Sequence, residues 1–166
     1  MQQIEGSVRL TVYTDYSLRV LMFLAVRREE LATIAEIAKA YGISKNHLMK
    51  VAHQLGVAGY VETVRGKGGG LRLARPPADI VLGEVVRRTE PDMALVPCFD
   101  PDDSSCAIFS GCLLRGVLAE ARDAFLTALD RHTLADLVAR RAPLQKLLAS
   151  KPNTRTSDSS RATRTR

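Results

Sequence analysis

Residues 33–55, "TIAEIAKAYGISKNHLMKVAHQL", constrain the fold more than any other stretch of the chain. "TIAE" puts Thr33 at a helix start and Glu36 three residues later. In that pattern an N-cap hydroxyl and a third-position carboxylate satisfy each other's backbone amides. Ile34, Ile37 and Ala38 then share a face for the core. Gly42 supplies the left-handed conformation that ends a helix. Ile43 bridges the turn, Ser44 is placed to cap a second helix at once, and that helix sets Leu48, Val51 and Leu55 on one side. Two short helices about a tight glycine-containing turn predict a helix-turn-helix unit.

The first turn of the second helix offers Ser44, Lys45, Asn46 and His47, with Lys50 one turn on. These are hydrogen-bonding or cationic groups at the end that enters a major groove. An ordinary helical hairpin with a solvated face is the plainer alternative. The next segment, "YVETVRGKGGGLRLARP", favours the reader. Val61 and Val64 precede a glycine turn, Leu71 and Leu73 follow it, and Gly66, Gly68, Gly69 and Gly70 permit a tight hairpin with positive φ. Arg65 and Lys67 fall at its tip, Arg72 and Arg75 near its base. A basic hairpin after a helix-turn-helix is a winged helix, whose tip lies along phosphates or inserts an arginine into the minor groove. A phosphate-binding loop is set aside, because Lys67 is followed by Gly68 rather than Ser or Thr.

Upstream, Thr14 is the expected cap of a helix "DYSLRVLMFLAV" with a broad apolar face. Downstream, "ADIVLGEVVRRTEP" reads as a helix ended by Pro91. After Cys112 comes a long helical pattern in which Leu114, Val117, Leu118, Ala121, Phe125, Leu126, Leu129, Leu134 and Leu137 recur at spacings of three and four. A lone winged helix does not need so long a helix. Packing against its counterpart in a second chain would bury the stripe and match the two-fold symmetry of operators. The alternative is that it folds back on its own domain.

All three cysteines, Cys98, Cys106 and Cys112, lie in "PCFDPDDSSCAIFSGC", a Pro-, Asp-, Ser- and Gly-rich loop. The spacing is Cys-x7-Cys-x5-Cys. A closed zinc site wants four ligands and commonly a close Cys-x2-Cys pair, which is missing. His47, His53 and His132 are too distant in sequence to complete a site locally. A disulfide would strand one thiol. An iron–sulfur cluster suits a triplet, with one corner left to a weaker ligand where a small molecule could react. A thiol-redox loop and three incidental cysteines stay open as alternatives.

Of the net charge of +6, the segment from Lys151 onward contributes +4 and the body +2. That segment is rich in Ser, Thr and Arg and is expected to be disordered. It adds non-specific attraction to polyanions, so the argument for DNA rests on the body. No run approaches a membrane span and the N-terminus lacks signal-peptide features, which makes a cytoplasmic location the expectation. No nucleophile–base constellation points to an enzyme.

With these pieces in view, the sequence resembles the winged-helix regulators that include the iron–sulfur regulator IscR, the iron-responsive RirA and the nitric-oxide-sensitive NsrR repressors. The resemblance rests on "RLTVYTDYSLRVL", "TIAEIAKAYGISKNHLMKVAHQL", "VRGKGGGLRLARP" and the cysteine triplet, over about residues 8–140. It is greatest to the NsrR branch. Arg115 stands three positions after the last cysteine, and no histidine occurs between Cys112 and His132, unlike IscR.

The resemblance implies a mainly α fold with a small β-wing. A winged helix-turn-helix DNA-binding domain would span 8–90, a cluster-binding loop 91–112 and a dimerisation helix 113–142, with a disordered basic tail over 150–166. It implies a homodimeric repressor on a double-stranded DNA operator. Cys98, Cys106 and Cys112 would hold an iron–sulfur cluster, [4Fe–4S] favoured over [2Fe–2S]. Asp15 from the other chain would complete it, and nitric oxide would be the effector. Without the resemblance, Asp15 reads as a carboxylate favoured by a helix N-terminus. Ser44, Lys45, Asn46, His47, Lys50, Arg65 and Lys67 are the DNA-contact candidates. Sensing of iron or cluster status, a cluster-free thiol switch and an iron–sulfur electron carrier are the competing functions.

Overall fold

The computed structural model describes residues 9–28, 30–100, 102–103 and 105–149. The expected disordered tail over 150–166 lies outside them, as do residue 8 and the loop residues Pro101 and Ser104. Seven helices and one hairpin follow in the order α1 (Val12–Arg27), α2 (Ile34–Tyr41), α3 (Lys45–Val57), β1 (Val61–Val64), β2 (Gly70–Leu73), α4 (Leu82–Thr89), α5 (Leu113–Asp130), α6 (Leu134–Leu137) and α7 (Arg141–Ala149). This is the expected mainly α architecture with a two-stranded wing.

Helix α1 is the centre of the core. Val20, Leu21, Phe23, Leu24, Ala25 and Val26 are all buried, so its second half is covered on nearly every side. It packs against α3, α4, α6 and β2. Each fully buried Leu, Ile or Phe side chain contributes about 1.5–3 kcal/mol. Leu21, Leu24, Ile37, Leu48, Leu55, Ile80 and Leu134 form one cluster at near-zero exposure. Of the expected inward residues of α2 and α3, Ile37, Ala38, Leu48, Val51 and Leu55 are in this core, while Ile34 is only partly buried against it.

The cap of α1 differs from expectation. Thr11, not Thr14, is the N-cap; its hydroxyl accepts from the Thr14 amide at 3.2 Å. Thr14 lies inside the helix, fully buried. The reason is tertiary: the Glu90 carboxylate, just past α4, accepts from both the Thr11 amide (2.9 Å) and the Thr11 hydroxyl (3.1 Å). The α2 capping box forms as read, with the Glu36 carboxylate accepting from the Thr33 amide at 2.7 Å. Gly42 ends α2 at φ 67°. Ser44 is the N-cap residue of α3, though its hydroxyl makes no cap bond.

In the wing, β1 and β2 pair antiparallel, Val61 opposite Leu73 and Val64 opposite Gly70. The glycines serve two different ends. Gly66 and Gly68 take positive φ, 100° and 80°. Gly69 and Gly70 do not; they allow close approach. A Cβ at Gly69 would collide with the Val64 carbonyl oxygen, and one at Gly70 would meet the Ala32 carbonyl oxygen at 2.9 Å. Ala32 and Leu71 exchange backbone bonds of 3.0 and 2.8 Å, which ties the wing to the segment before α2.

The helix expected over 113–142 is divided. Helix α5 ends at Asp130, and the chain bends back through Arg131–Thr133. The Leu82 amide donates to the His132 carbonyl (2.9 Å) and the Leu134 amide to the Ile80 carbonyl (2.8 Å). A Thr133–Asp136 capping box then starts α6, and Leu134 is fully buried. The second half of the run therefore folds onto its own domain. Gly83 permits the approach of α5 to α4: a methyl group there would run into the Asp130 carboxylate, which receives two bonds of 2.6 Å from Arg87.

Candidate functional site

The DNA-contact candidates on α3 and at the wing tip are all exposed. Ser44, Lys45, Asn46, His47 and Lys50 are all exposed, on the first turns of α3, while Leu48, Val51, Ala52 and Leu55 anchor its other side in the core. Arg65 and Lys67 are exposed at the wing tip. No ion pair engages Lys45, Lys50, Arg65 or Lys67 among the described residues. Arg72 is different. It grips Glu62 across the hairpin through bonds of 3.0 and 3.1 Å, and this pairing holds the Glu62 carboxyl below its ordinary range. Arg75 turns back over the Tyr60 ring, 4.4 Å from its centroid. On α3 and the hairpin, the cations engaged by neither a carboxylate nor a ring are thus those of the first turns of α3 and of the tip, the positions a winged helix offers to duplex DNA.

Helix α1 touches the reader directly. The Tyr16 and His47 rings lie 6.3 Å apart, tilted by 40°. One residue before Tyr16, Asp15 is half-exposed and bound to Arg19 in its own chain, with Nε–Oδ1 and Nη2–Oδ2 distances of 2.9 Å. Arg19 in turn lies over the Tyr41 ring at 5.8 Å, at the end of α2. Burial pushes the Tyr41 hydroxyl up to about 12, against the pull of Arg19. Through Arg19, Asp15 is linked to the end of α2, and its chain neighbour Tyr16 lies beside α3. Sequence reasoning missed these contacts, because ring contacts between elements leave no local periodic signal.

The cysteines share one loop without converging. Cys98 is half-buried in a short 3₁₀ turn, Pro97–Phe99; Cys106 is exposed; Cys112 is half-buried at the N-cap of α5. All three are free thiols. Among the described residues, no group of three or more His, Cys, Asp or Glu side chains is gathered as a metal site. Asp15 sits on α1, outside this loop.

The donor chemistry nevertheless fits an iron–sulfur cluster. Three unpaired thiols lie on one short segment, and an anionic group beside Cys112 would meet the positive end of the 18-residue α5. Arg115 and Arg122 add positive charge at the same place. They border a cavity of about 520 Å³ together with Phe99, Phe109 and Cys112. Arg115 stacks over Phe109 (4.7 Å) and Arg122 over Phe99 (5.1 Å), so both ends of the loop are clamped to α5. Between the clamps, the Asp100 and Asp103 carboxylates accept from the amides two residues on, each at 3.0 Å. The Ser105 hydroxyl bond holds the Asp103 carboxyl below its ordinary range.

Comparison with known proteins agrees with this architecture. The Rrf2 family profile, described as an iron-dependent transcriptional regulator, matches residues 10–140. The HTH-type transcriptional regulator NsrR of Bacillus subtilis is 55% identical over 145 residues, covering 87% of this chain and 99% of that protein. NsrR of Geobacillus kaustophilus is 51% identical over 142 residues, covering 85% and 97%. Among solved structures, the global cysteine regulator CymR of B. subtilis superposes with a TM-score of 0.66 at 25% identity, over 81% of this chain and 98% of that one. IscR of T. potens gives 0.66 at 26%, over 84% and 92%. The two NsrR relatives are named as transcriptional regulators, not enzymes. By profile, by relatives and by its winged helix-turn-helix, the chain belongs to the Rrf2 family of transcriptional regulators.

Proposed function

We propose that this regulator is a homodimeric repressor that binds an operator through α3 and the wing and senses nitric oxide through an iron–sulfur cluster. The observation behind this is the clamped loop with three free thiols, in a chain 55% identical to a protein named NsrR. Cys98, Cys106 and Cys112 would hold the cluster, [4Fe–4S] favoured over [2Fe–2S], with Asp15 of the partner subunit as the fourth ligand. When bound, the cluster supplies a centre that nitric oxide attacks. No helix among the described residues is long and apolar enough to cross a membrane.

The exposed face of α5 supports the second copy. Leu113, Leu114, Val117 and Phe125 are 87%, 61%, 60% and 42% exposed. Leu114, Val117, Ala121 and Phe125 recur at spacings of three and four, an unpartnered apolar stripe. The stripe borders a cavity of about 740 Å³ between Leu10, Met93 and Leu95 on one side and Ala121 and Phe125 on the other. An α5 from a second chain supplies apolar surface to both. Two readers related by a two-fold axis then meet successive major grooves about 34 Å apart.

Asp15 connects the two functions. In its own chain it is held by Arg19, and Arg19 leans on Tyr41 while Tyr16 leans on His47. On this reading, engaging the Asp15 carboxylate at a partner's cluster would release Arg19 from a weak exposed pair and couple the cluster to the helix that carries Tyr16 beside His47, the kind of linkage an effector can bias.

Anaerobic titration with nitric oxide, recording visible absorbance and operator binding on the same samples, tests this. Bleaching of the visible band in step with loss of DNA binding is expected. Bleaching with unchanged DNA binding moves the signal to iron status, a reading favoured by the family description as iron-dependent. Absence of the band after reconstitution moves it to a thiol switch on the same cysteines.

A further inference from the structure

A second basic concavity lies at the base of the wing, at the opposite end of the hairpin from Arg65 and Lys67. It is an open cavity of about 750 Å³ between the end of α1, the segment after β2, and α6–α7. Three arginines border it, Arg28, Arg75 and Arg141, and no carboxylate does among the described residues. Leu73, Pro77 and Val138 form part of an otherwise apolar wall.

Each arginine is short of an anionic partner. Arg75 rests on the Tyr60 ring, and its Nε is buried with no acceptor. Arg141 donates through Nε to the Val26 carbonyl oxygen at 2.6 Å. None of the three makes an ion pair among the described residues. Arg28 also has φ 58°, a conformation L side chains rarely adopt. Three like charges around one concavity repel, and one oxyanion relieves that repulsion, because guanidinium forks match carboxylate and phosphate geometry.

We infer that Arg28, Arg75 and Arg141 form a binding site for a small oxyanion, a phosphate or a short aliphatic dicarboxylate whose carbon chain lies on the apolar wall. The site is separate from the cysteine loop and does not rest on a cluster. A bound anion would bridge the wing base to α6–α7, giving the regulator a second input.

The test is calorimetric titration of the full-length chain with inorganic phosphate and, separately, with succinate, at constant ionic strength. One saturable site per chain is expected, weakened about tenfold or more in Arg28→Gln and in Arg75→Gln. Lys39→Gln, on exposed α2 surface, leaves it unchanged. Arg28 is exposed, so that variant stays informative if Arg75→Gln disturbs the stacking on Tyr60. Equal affinities in wild type, Arg28→Gln and Lys39→Gln mean diffuse surface attraction and overturn the site. So does a third outcome: neither free anion binds, while Arg28→Gln lowers the salt slope of DNA binding by about one ion. The arginines would then face the DNA backbone.

Discussion

Asp15 and Arg19 face each other one helical turn apart, joined by two nitrogen–oxygen contacts of 2.9 Å, with both side chains nearly half exposed. An exposed pair of this kind contributes only about 0.3–0.5 kcal/mol. Asp15→Asn is therefore expected to leave the melting temperature of the cluster-free chain within a few degrees of wild type. If Asp15 is the fourth ligand, the same change alters the visible spectrum of the reconstituted protein and its rate of reaction with nitric oxide. Identical spectra and rates would return Asp15 to a helix-terminal carboxylate.

Alanine at Cys98, Cys106 or Cys112 is expected to abolish the visible band after reconstitution while leaving far-ultraviolet circular dichroism unchanged. None of the three is buried in the core, and none is in a disulfide. A Cys98→Ala protein without visible absorbance whose DNA binding still responds to oxidants would favour the thiol switch.

On the reader, contacts to bases and to phosphates separate experimentally. Asn46→Ala is expected to cost about 1–3 kcal/mol on the operator and little on random DNA. Lys50→Ala and Lys67→Ala should weaken both alike and each lower the salt slope by about one. Competition binding at several salt concentrations distinguishes them.

The wing glycines give a stability prediction that follows from their different roles. Gly69→Ala drives a methyl group into the Val64 carbonyl and should cost about 1–3 kcal/mol, with loss of DNA affinity as the tip is displaced. Gly56→Ala, inside α3, meets only the Val61 carbonyl oxygen at 3.6 Å, an ordinary contact. It should be neutral or stabilising by up to ~1 kcal/mol. Urea unfolding of both variants checks the contrast.

Acid should destabilise the fold through its paired carboxylates. Arg87 holds Asp130 below the ordinary carboxylate range; the Thr133 and Thr33 amides do the same for Asp136 and Glu36. A carboxyl depressed in the folded state contributes stability that is present above its unfolded value and lost as pH falls through its folded value. The urea midpoint should hold down to about pH 5 and drop below about pH 4. Asp130→Asn should have a smaller drop; an unchanged drop would remove that pair from the account.

What was legible in the sequence was carried by local chemistry. The α2 capping box, the Gly42 terminus, the inward faces of α2 and α3, and the exposed reader residues all depend on neighbours within a few positions. Spacing within a short window states them directly. The cysteine triplet was legible as chemistry, but its clamp was not, because Phe99–Arg122 and Phe109–Arg115 become neighbours only when the loop lies on α5.

The sequence by itself determined a helix-turn-helix, a basic glycine hairpin and three thiols on one loop, since hydrogen-bond caps, turns and periodic apolar faces are short-range. Tertiary structure decided the rest. Glu90 made Thr11 rather than Thr14 the start of α1, by supplying the acceptor its amide and hydroxyl needed. Pairing of Ile80 and Leu82 with the chain at His132–Leu134 broke an unbroken helical pattern, because burying Leu134 and satisfying those backbone groups outweighed one more turn of helix. Periodicity records which residues are apolar; only packing determines which apolar surface they meet.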